Sequence, residues 1–193
     1  NYRSPNKAEA WAEKMKAAFL VKFFDAEKAQ FANGSHPSYV LPLAFGLVPE
    51  HARKRVFQNL VDSILYRTNG HIGTGLIGGQ WLNRVLTDNG RPDIALMLAR
   101  REDYPSWGYM LSQGATTIWE LWNGDTADPA MNSRNHVMLV GDLAIWKREV
   151  LAGIQPDPNE PGWRRMILKP APVAGLDAVR AERETQYGKV LSD

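Results

Sequence analysis

The sequence predicts a mainly α-helical fold of successive helical hairpins, followed by a few β-strands. Two observations carry this. Apolar residues recur at three- and four-residue spacing along most of the first 155 positions, with Gly, Asn and Pro marking the breaks. After Gly153 the grammar changes to short, partly alternating runs punctuated by Pro156, Pro158, Pro161, Pro170 and Pro172.

The elements follow in order. Ser4-Pro5 reads as an N-cap with proline at the first helical position. Trp11, Met15, Ala18, Phe19 and Phe23 keep helical spacing, so residues 5–30 are expected to form one long amphipathic helix ending at Asn33-Gly34. Pro37 opens a second helix through Phe45, although Pro42 removes one backbone donor. Pro49 starts a third, with Val56, Leu60 and Ile64 on one stripe. A fourth covers about 76–87 and stops at Asn89-Gly90, and a fifth runs from Pro92 to Arg101. A loop segment follows. Ser133 is then expected to cap a long helix whose stripe is Leu139, Leu143, Trp146 and Val150. The runs Trp163–Lys169, Leu176–Thr185 and Tyr187–Leu191 have strand length. Residues 1–155 thus read as helical hairpins and 156–193 as the start of an incomplete β domain. Stacked hairpins bury their apolar faces against neighbours, either as an open solenoid or closed into a ring.

Composition narrows the function classes. The 193 residues hold 44% hydrophobic and 23% charged residues, ordinary for a globular protein. Twenty-three Lys+Arg against twenty-one Asp+Glu give +2, too little for a strong pull toward nucleic acid or a membrane surface. The absence of cysteine removes thiolate nucleophiles and Cys-based zinc sites, and leaves the compartment open. His36, His51 and His71 are scattered with no acidic partner at ligand spacing, so no catalytic metal and no cofactor are expected. Gly73–Gly79 lacks a Lys and a preceding strand and is no phosphate loop. The chain starts at Asn1 rather than Met and reads as a piece of a longer protein.

The chemistry concentrates in the loop segment. Tyr104-Pro-Ser-Trp-Gly-Tyr-Met110, Gly114-Ala-Thr-Thr-Ile-Trp-Glu-Leu-Trp122 and Met131-Asn-Ser-Arg-Asn-His136 put Trp107, Trp119, Trp122, Glu120 and His136 close together, with little apolar periodicity. Tryptophans beside a lone Glu and a His suggest a binding cleft with one proton-handling group. The plain alternatives are a surface Glu120 and core tryptophans, with at least one of Trp119 and Trp122 in the core. Asn132 and Asn135 serve equally as helix caps. His136, near an expected helix start, can donate one hydrogen bond and accept another, which suits a hydroxyl-rich ligand. Trp11, Trp81 and Trp146 fall on apolar helical faces and are expected in the core, and Trp163 at the helical–β junction. Asp125 and Asp128 are weak candidates for a second acid; Asn123-Gly124-Asp125 reads better as a turn.

These landmarks, with Leu43-Ala-Phe-Gly-Leu-Val-Pro-Glu50, His71-Ile-Gly-Thr-Gly-Leu-Ile77, Leu86-Thr-Asp-Asn-Gly-Arg91 and Leu151-Ala-Gly-Ile154, resemble in order those of the α-L-rhamnosidase family of glycoside hydrolases. The resemblance implies the second half of an (α/α)6 barrel, six hairpins closed into a ring, and the first strands of a C-terminal β-sandwich. It implies an inverting glycosidase acting on a rhamnosylated glycoside or polysaccharide. Glu120 then matches the general base and His136 a sugar-contacting histidine. Apart from the resemblance, Trp107, Trp119, Trp122 and Asn132 are expected as further substrate contacts. The family's general acid belongs to a motif upstream of the matching region. Gly78-Gly79-Gln80-Trp81 and Leu121 depart from the usual pattern and put the substrate in doubt more than the family. Another six-hairpin enzyme, glycosidase or polysaccharide lyase, and a non-catalytic sugar-binding helical module stay open as alternatives.

Overall fold

The computed structural model describes residues 5–136 and 142–193. It divides into two compact units, 1–69 and 70–193.

In the first unit, α1 (Pro5–Phe23) is shorter than expected. At Phe23 the chain turns into a small antiparallel hairpin, β1 (Phe24–Asp25) with β2 (Gln30–Phe31), in which Phe24 faces Phe31. The cause is aromatic packing. Phe31 is buried, stacks on Phe19 at 5.7 Å and lies tilted against Phe24 at 4.8 Å, contacts that a continuous helix could not make. Ala29 and Ala32 accept positive φ to close the turn. The expected core position of Trp11 is also corrected: it is 65% exposed, and Met15 beside it is open as well. Only the C-terminal end of α1 packs on the hairpin, so the stripe nearer its start stays uncovered within this unit. The Ser4 cap lies outside the described residues.

Helix α2 (His36–Ala44) keeps Pro42 in its last turn and packs on α3 (Glu50–Asp62), which continues as a π-helical turn, Ser63–Arg67. Val56, Leu60 and Ile64 are all at 0% exposure, the expected stripe. Asn59 ties α3 to the hairpin by donating to the carbonyls of Lys28 and Ala29 at 2.9 and 3.0 Å.

In the second unit, α4 (Leu76–Asp88) and α5 (Pro92–Arg100) form an antiparallel pair around Leu82, Leu86, Ile94 and Leu98. The next segment, expected as loop, contains a short helix, α6 (Trp107–Ser112), because Ser106 Oγ accepts the Tyr109 N–H at 2.9 Å and caps it. A helical stretch over 142–145 runs into a π-helical turn, Trp146–Leu151. Trp146 is fully buried, as expected, and its indole N–H donates to Thr87 Oγ1 at 2.9 Å. Leu139 and Val140 lie outside the described residues. The expectation that Ser133 caps this helix is wrong: residues 133–136 are not helical.

The C-terminal segment makes two antiparallel hairpins. β3 (Ile154–Pro156) pairs with β4 (Met166–Leu168), and β5 (Ala181–Thr185) with β6 (Gly188–Ser192). β3 was not anticipated, and the expected strand from Leu176 begins only at Ala181. Ser192 Oγ donates to the Ala152 carbonyl at 2.7 Å. Trp163 is half-buried, with the Arg183 guanidinium 3.9 Å above its ring, so its near partner is the last hairpin. No described helix is long and apolar enough to cross a membrane.

Candidate functional site

Two extended stretches build the site. The Glu120 N–H donates to the Ser133 carbonyl at 2.8 Å, and the His136 N–H donates to the Ile118 carbonyl at 2.7 Å. The Thr117 hydroxyl adds a bond to the Arg134 carbonyl. This pairing overrides the helical reading of 133–136, because backbone groups bonded across to 118–120 are unavailable to a helical first turn.

Glu120 sits at the centre. Its Oε2 accepts the Ser133 N–H at 3.0 Å and lies 3.8 Å from His136 Nδ1. The side chain is 38% exposed, and Oε1 has no hydrogen-bond partner among the described residues. One oxygen is thus fixed by a backbone donor while the other stays open to accept. His136 is half-buried; its Nε2 is enclosed without a partner among the described residues.

After Glu120 the chain turns tightly. Gly124 N–H donates to the Leu121 carbonyl at 3.1 Å, and the Thr126 and Ala127 N–H groups donate to the Asn123 carbonyl. The turn expected at Asn123-Gly124-Asp125 is therefore present. Asn132 is no helix cap: its Oδ1 accepts the Leu121 N–H at 3.1 Å and its Nδ2 donates to the Gly124 carbonyl at 3.4 Å. At the far end, Tyr109 Oη donates to Asp125 Oδ2 at 2.9 Å, and that carboxylate holds the Tyr109 phenol above its ordinary range. Asp125 is thereby tied to a phenol.

The tryptophans separate by environment. Trp119 is buried against Gly124, and Trp107 is buried with its ring edge-on to Trp122 at 5.4 Å and 81°. Trp122 is half-buried, and its indole N–H donates to the Thr74 carbonyl at 2.8 Å. Gly108 permits this placement of α6: a Cβ there would stand 2.3 Å from the Arg101 carbonyl oxygen. Of the predicted residues, Glu120, His136 and Asn132 share direct contacts or the same pair of stretches. Trp107 and Trp122 touch each other, and Trp119 underlies the turn.

Two clusters escaped the sequence reading. His71 does have an acidic partner, Asp103, at 2.9 Å; Arg101 also grips Asp103, at 2.8 Å, and hydrogen bonds from the Arg101 guanidinium and then from His71 hold that carboxyl well below the usual range. Thirty-two positions separate His71 from Asp103, beyond any local spacing rule. Asp142 is 3% exposed and accepts from Arg84 Nε at 3.0 Å. Burial pushes its carboxyl up to about 7, with the Arg84 charge opposing. The one local sign was an acid inside an apolar helical run. Among the described residues, no group of three or more His, Asp or Glu is arranged to hold a metal ion. A concavity of about 750 Å³ in the same unit is lined by Arg100, Trp146, Lys147 and Arg180 among others, and Glu120 is not part of it.

Residues 3–151 match the bacterial α-L-rhamnosidase six-hairpin glycosidase domain. The chain belongs to the α-L-rhamnosidase family. Residues 153–193 match the C-terminal domain of the bacterial α-L-rhamnosidases. A Formosa agariphila α-L-rhamnosidase is 36% identical over 189 residues, 95% of this chain and 20% of the relative. One from Streptomyces avermitilis is 32% identical over 182 residues, 92% of this chain and 17% of the relative. The chain thus spans about a fifth of the length of the curated α-L-rhamnosidases it matches. The solved structure of the α-L-rhamnosidase from Dictyoglumus thermophilum superposes with a TM-score of 0.86 at 35% identity, covering 96% of this chain and 21% of that one. The Streptomyces avermitilis α-L-rhamnosidase complexed with L-rhamnose gives 0.88 at 30%, covering 98% and 18%. The helices described above therefore belong to a six-hairpin glycosidase domain, with the C-terminal hairpins in the domain that follows it.

Proposed function

We propose that this chain is part of an inverting α-L-rhamnosidase that hydrolyses terminal α-L-rhamnosyl linkages, and that Glu120 is its general base. The observation that carries the proposal is the half-exposed Glu120 carboxylate, clamped through Oε2 by the Ser133 N–H with Oε1 open. Such a carboxylate can take a proton from a water molecule as the water oxygen bonds to the anomeric carbon. The glycosidic C–O bond breaks on the opposite face, and an acid there protonates the leaving oxygen. In an inverting pair the two carboxyl groups stand roughly 6.5–9.5 Å apart, leaving room for the water. Asp125 is engaged by Tyr109 and is not that acid in this reading; the acid comes from outside this chain.

His136, beside the carboxylate, is the proposed partner of a sugar hydroxyl. Trp122 supplies a flat apolar face with the buried Trp107 edge-on to it, and the buried Trp119 supports the turn after Glu120. The reading divides the chain into hairpins over 1–155 and the start of a β-sandwich over 156–193.

The test is Glu120→Gln in the longer enzyme, assayed on an aryl rhamnoside. A positioned acid–base group contributes on the order of a hundredfold or more, so kcat is expected to fall by at least about that factor. A loss below roughly fivefold, far under that scale, removes Glu120 from the role.

A further inference from the structure

We propose that Asn132 is a positioning residue: its side-chain amide fixes the loop leaving Glu120 and so holds the carboxylate in register. The inference rests on the general-base reading of Glu120 and deepens it.

Glu120 is fastened on one side by the paired stretches 118–120 and 133–136. On the other side the chain leaves the pairing at Leu121 and reverses at Gly124. Asn132 stands next to Ser133, whose N–H holds Oε2, and its amide reaches both ends of that reversal. Oδ1 takes the Leu121 N–H, the first donor after Glu120, and Nδ2 reaches the Gly124 carbonyl. Each end of the amide is thus committed to backbone, a geometry suited to bracing rather than to reading a ligand. Tyr109 then holds Asp125, the next residue along. The carboxylate therefore sits on a loop fastened at 120, 121, 124 and 125, and Asn132 supplies the middle two fastenings.

Removing the amide leaves Ser133 in place but lets the main chain at 121 drift, and the Glu120 Cα drifts with it. Displacement of a reacting group by about 1 Å can cost up to about a hundredfold in rate without weakening substrate binding. Asn132→Ala in the longer enzyme is expected to lower kcat by about ten- to a hundredfold while KM stays within about twofold. Asn132→Asp keeps the acceptor for the Leu121 N–H at 3.1 Å, the shorter of the two fastenings, gives up the 3.4 Å donation to the Gly124 carbonyl, and is expected to recover kcat to within about fivefold of wild type. Melting curves of both variants accompany the kinetics; if the alanine variant does not fold, the aspartate variant alone decides, by the same fivefold limit. A rise in KM with unchanged kcat overturns the proposal and makes Asn132 a substrate contact. A folded Asn132→Asp as slow as alanine also overturns it. The parallel Glu120→Gln measurement separates the two readings: if it leaves kcat intact, the general-base assignment fails whatever Asn132 does.

Discussion

The buried acid Asp142 makes the stability of this protein depend on pH in a direction opposite to that of a paired surface carboxylate. Its side chain is 2% exposed and bonded only through Oδ1 to Arg84; Oδ2 is enclosed with no partner among the described residues. Burial raises its carboxyl from 3.8 to about 7, and the nearby guanidinium offsets only part of that. Between about pH 4 and 7 the native state therefore keeps a proton that the unfolded chain releases. Stability from this group is full below the unfolded value, declines as pH rises through that window, and is flat above it. A shift of about three units corresponds to a ceiling of about 4 kcal/mol, of which roughly 2–3 kcal/mol falls between pH 5 and 8. Asp142→Asn is shape-conserving and cannot ionise, and Arg84, 31% exposed, can turn to water. Urea unfolding of both proteins at pH 5, 6, 7 and 8 gives the difference, wild type minus variant. That difference is expected to fall with pH by the stated amount. A flat or rising difference refutes the reasoning, because it means that Asp142 stays charged inside the fold.

The remaining predictions concern the site. Glu120→Gln in the longer enzyme lowers kcat by at least about a hundredfold on an aryl rhamnoside. Asn132→Ala lowers kcat with KM nearly unchanged, and Asn132→Asp brings it back to within about fivefold of wild type. Gly124→Ala places a methyl group 2.7 Å from the buried Trp119 ring; overpacking of this kind costs about 1–3 kcal/mol, read as a drop of several degrees in the melting temperature. The present chain alone is expected to show no turnover of an aryl rhamnoside, measured against the longer enzyme at equal concentration, because the proposed reading takes the acid partner of Glu120 from outside it.

The helices were legible where packing is local. Val56, Leu60 and Ile64 repeat every four positions, and all three are fully buried. The stops after Phe45 and at Asn89-Gly90 and the starts at Pro49 and Pro92 came from turn chemistry that acts within a few residues. The misreadings share the opposite cause. Asp25 to Gln30 has residues that favour a helix, yet Phe31 returns to pack on Phe19 and Phe24. Ser133 looks like a cap, but its N–H and carbonyl both go to Glu120, thirteen residues earlier. The short helix at Trp107 did carry a readable signal, the Ser106 cap. The partners of Asp142 and His71 could not be read locally, since they are 58 and 32 positions away.

The same division explains why the candidate site surfaced as a stretch without periodicity. A helix face repeats because one core wall must be covered turn after turn. A carboxylate held at a fixed angle to a ligand has no such repeat: its order comes from bonds between segments, here 118–121 with 132–136, and 109 with 125. Composition could flag the region, through tryptophans beside one Glu and one His, but could not orient Glu120. The family resemblance implied the proposed role, and the structure describes how the carboxylate is held. Backbone donors and one amide hold the loop from both sides, so under the proposed general-base role the open oxygen is placed by groups that need not rearrange when a proton is transferred.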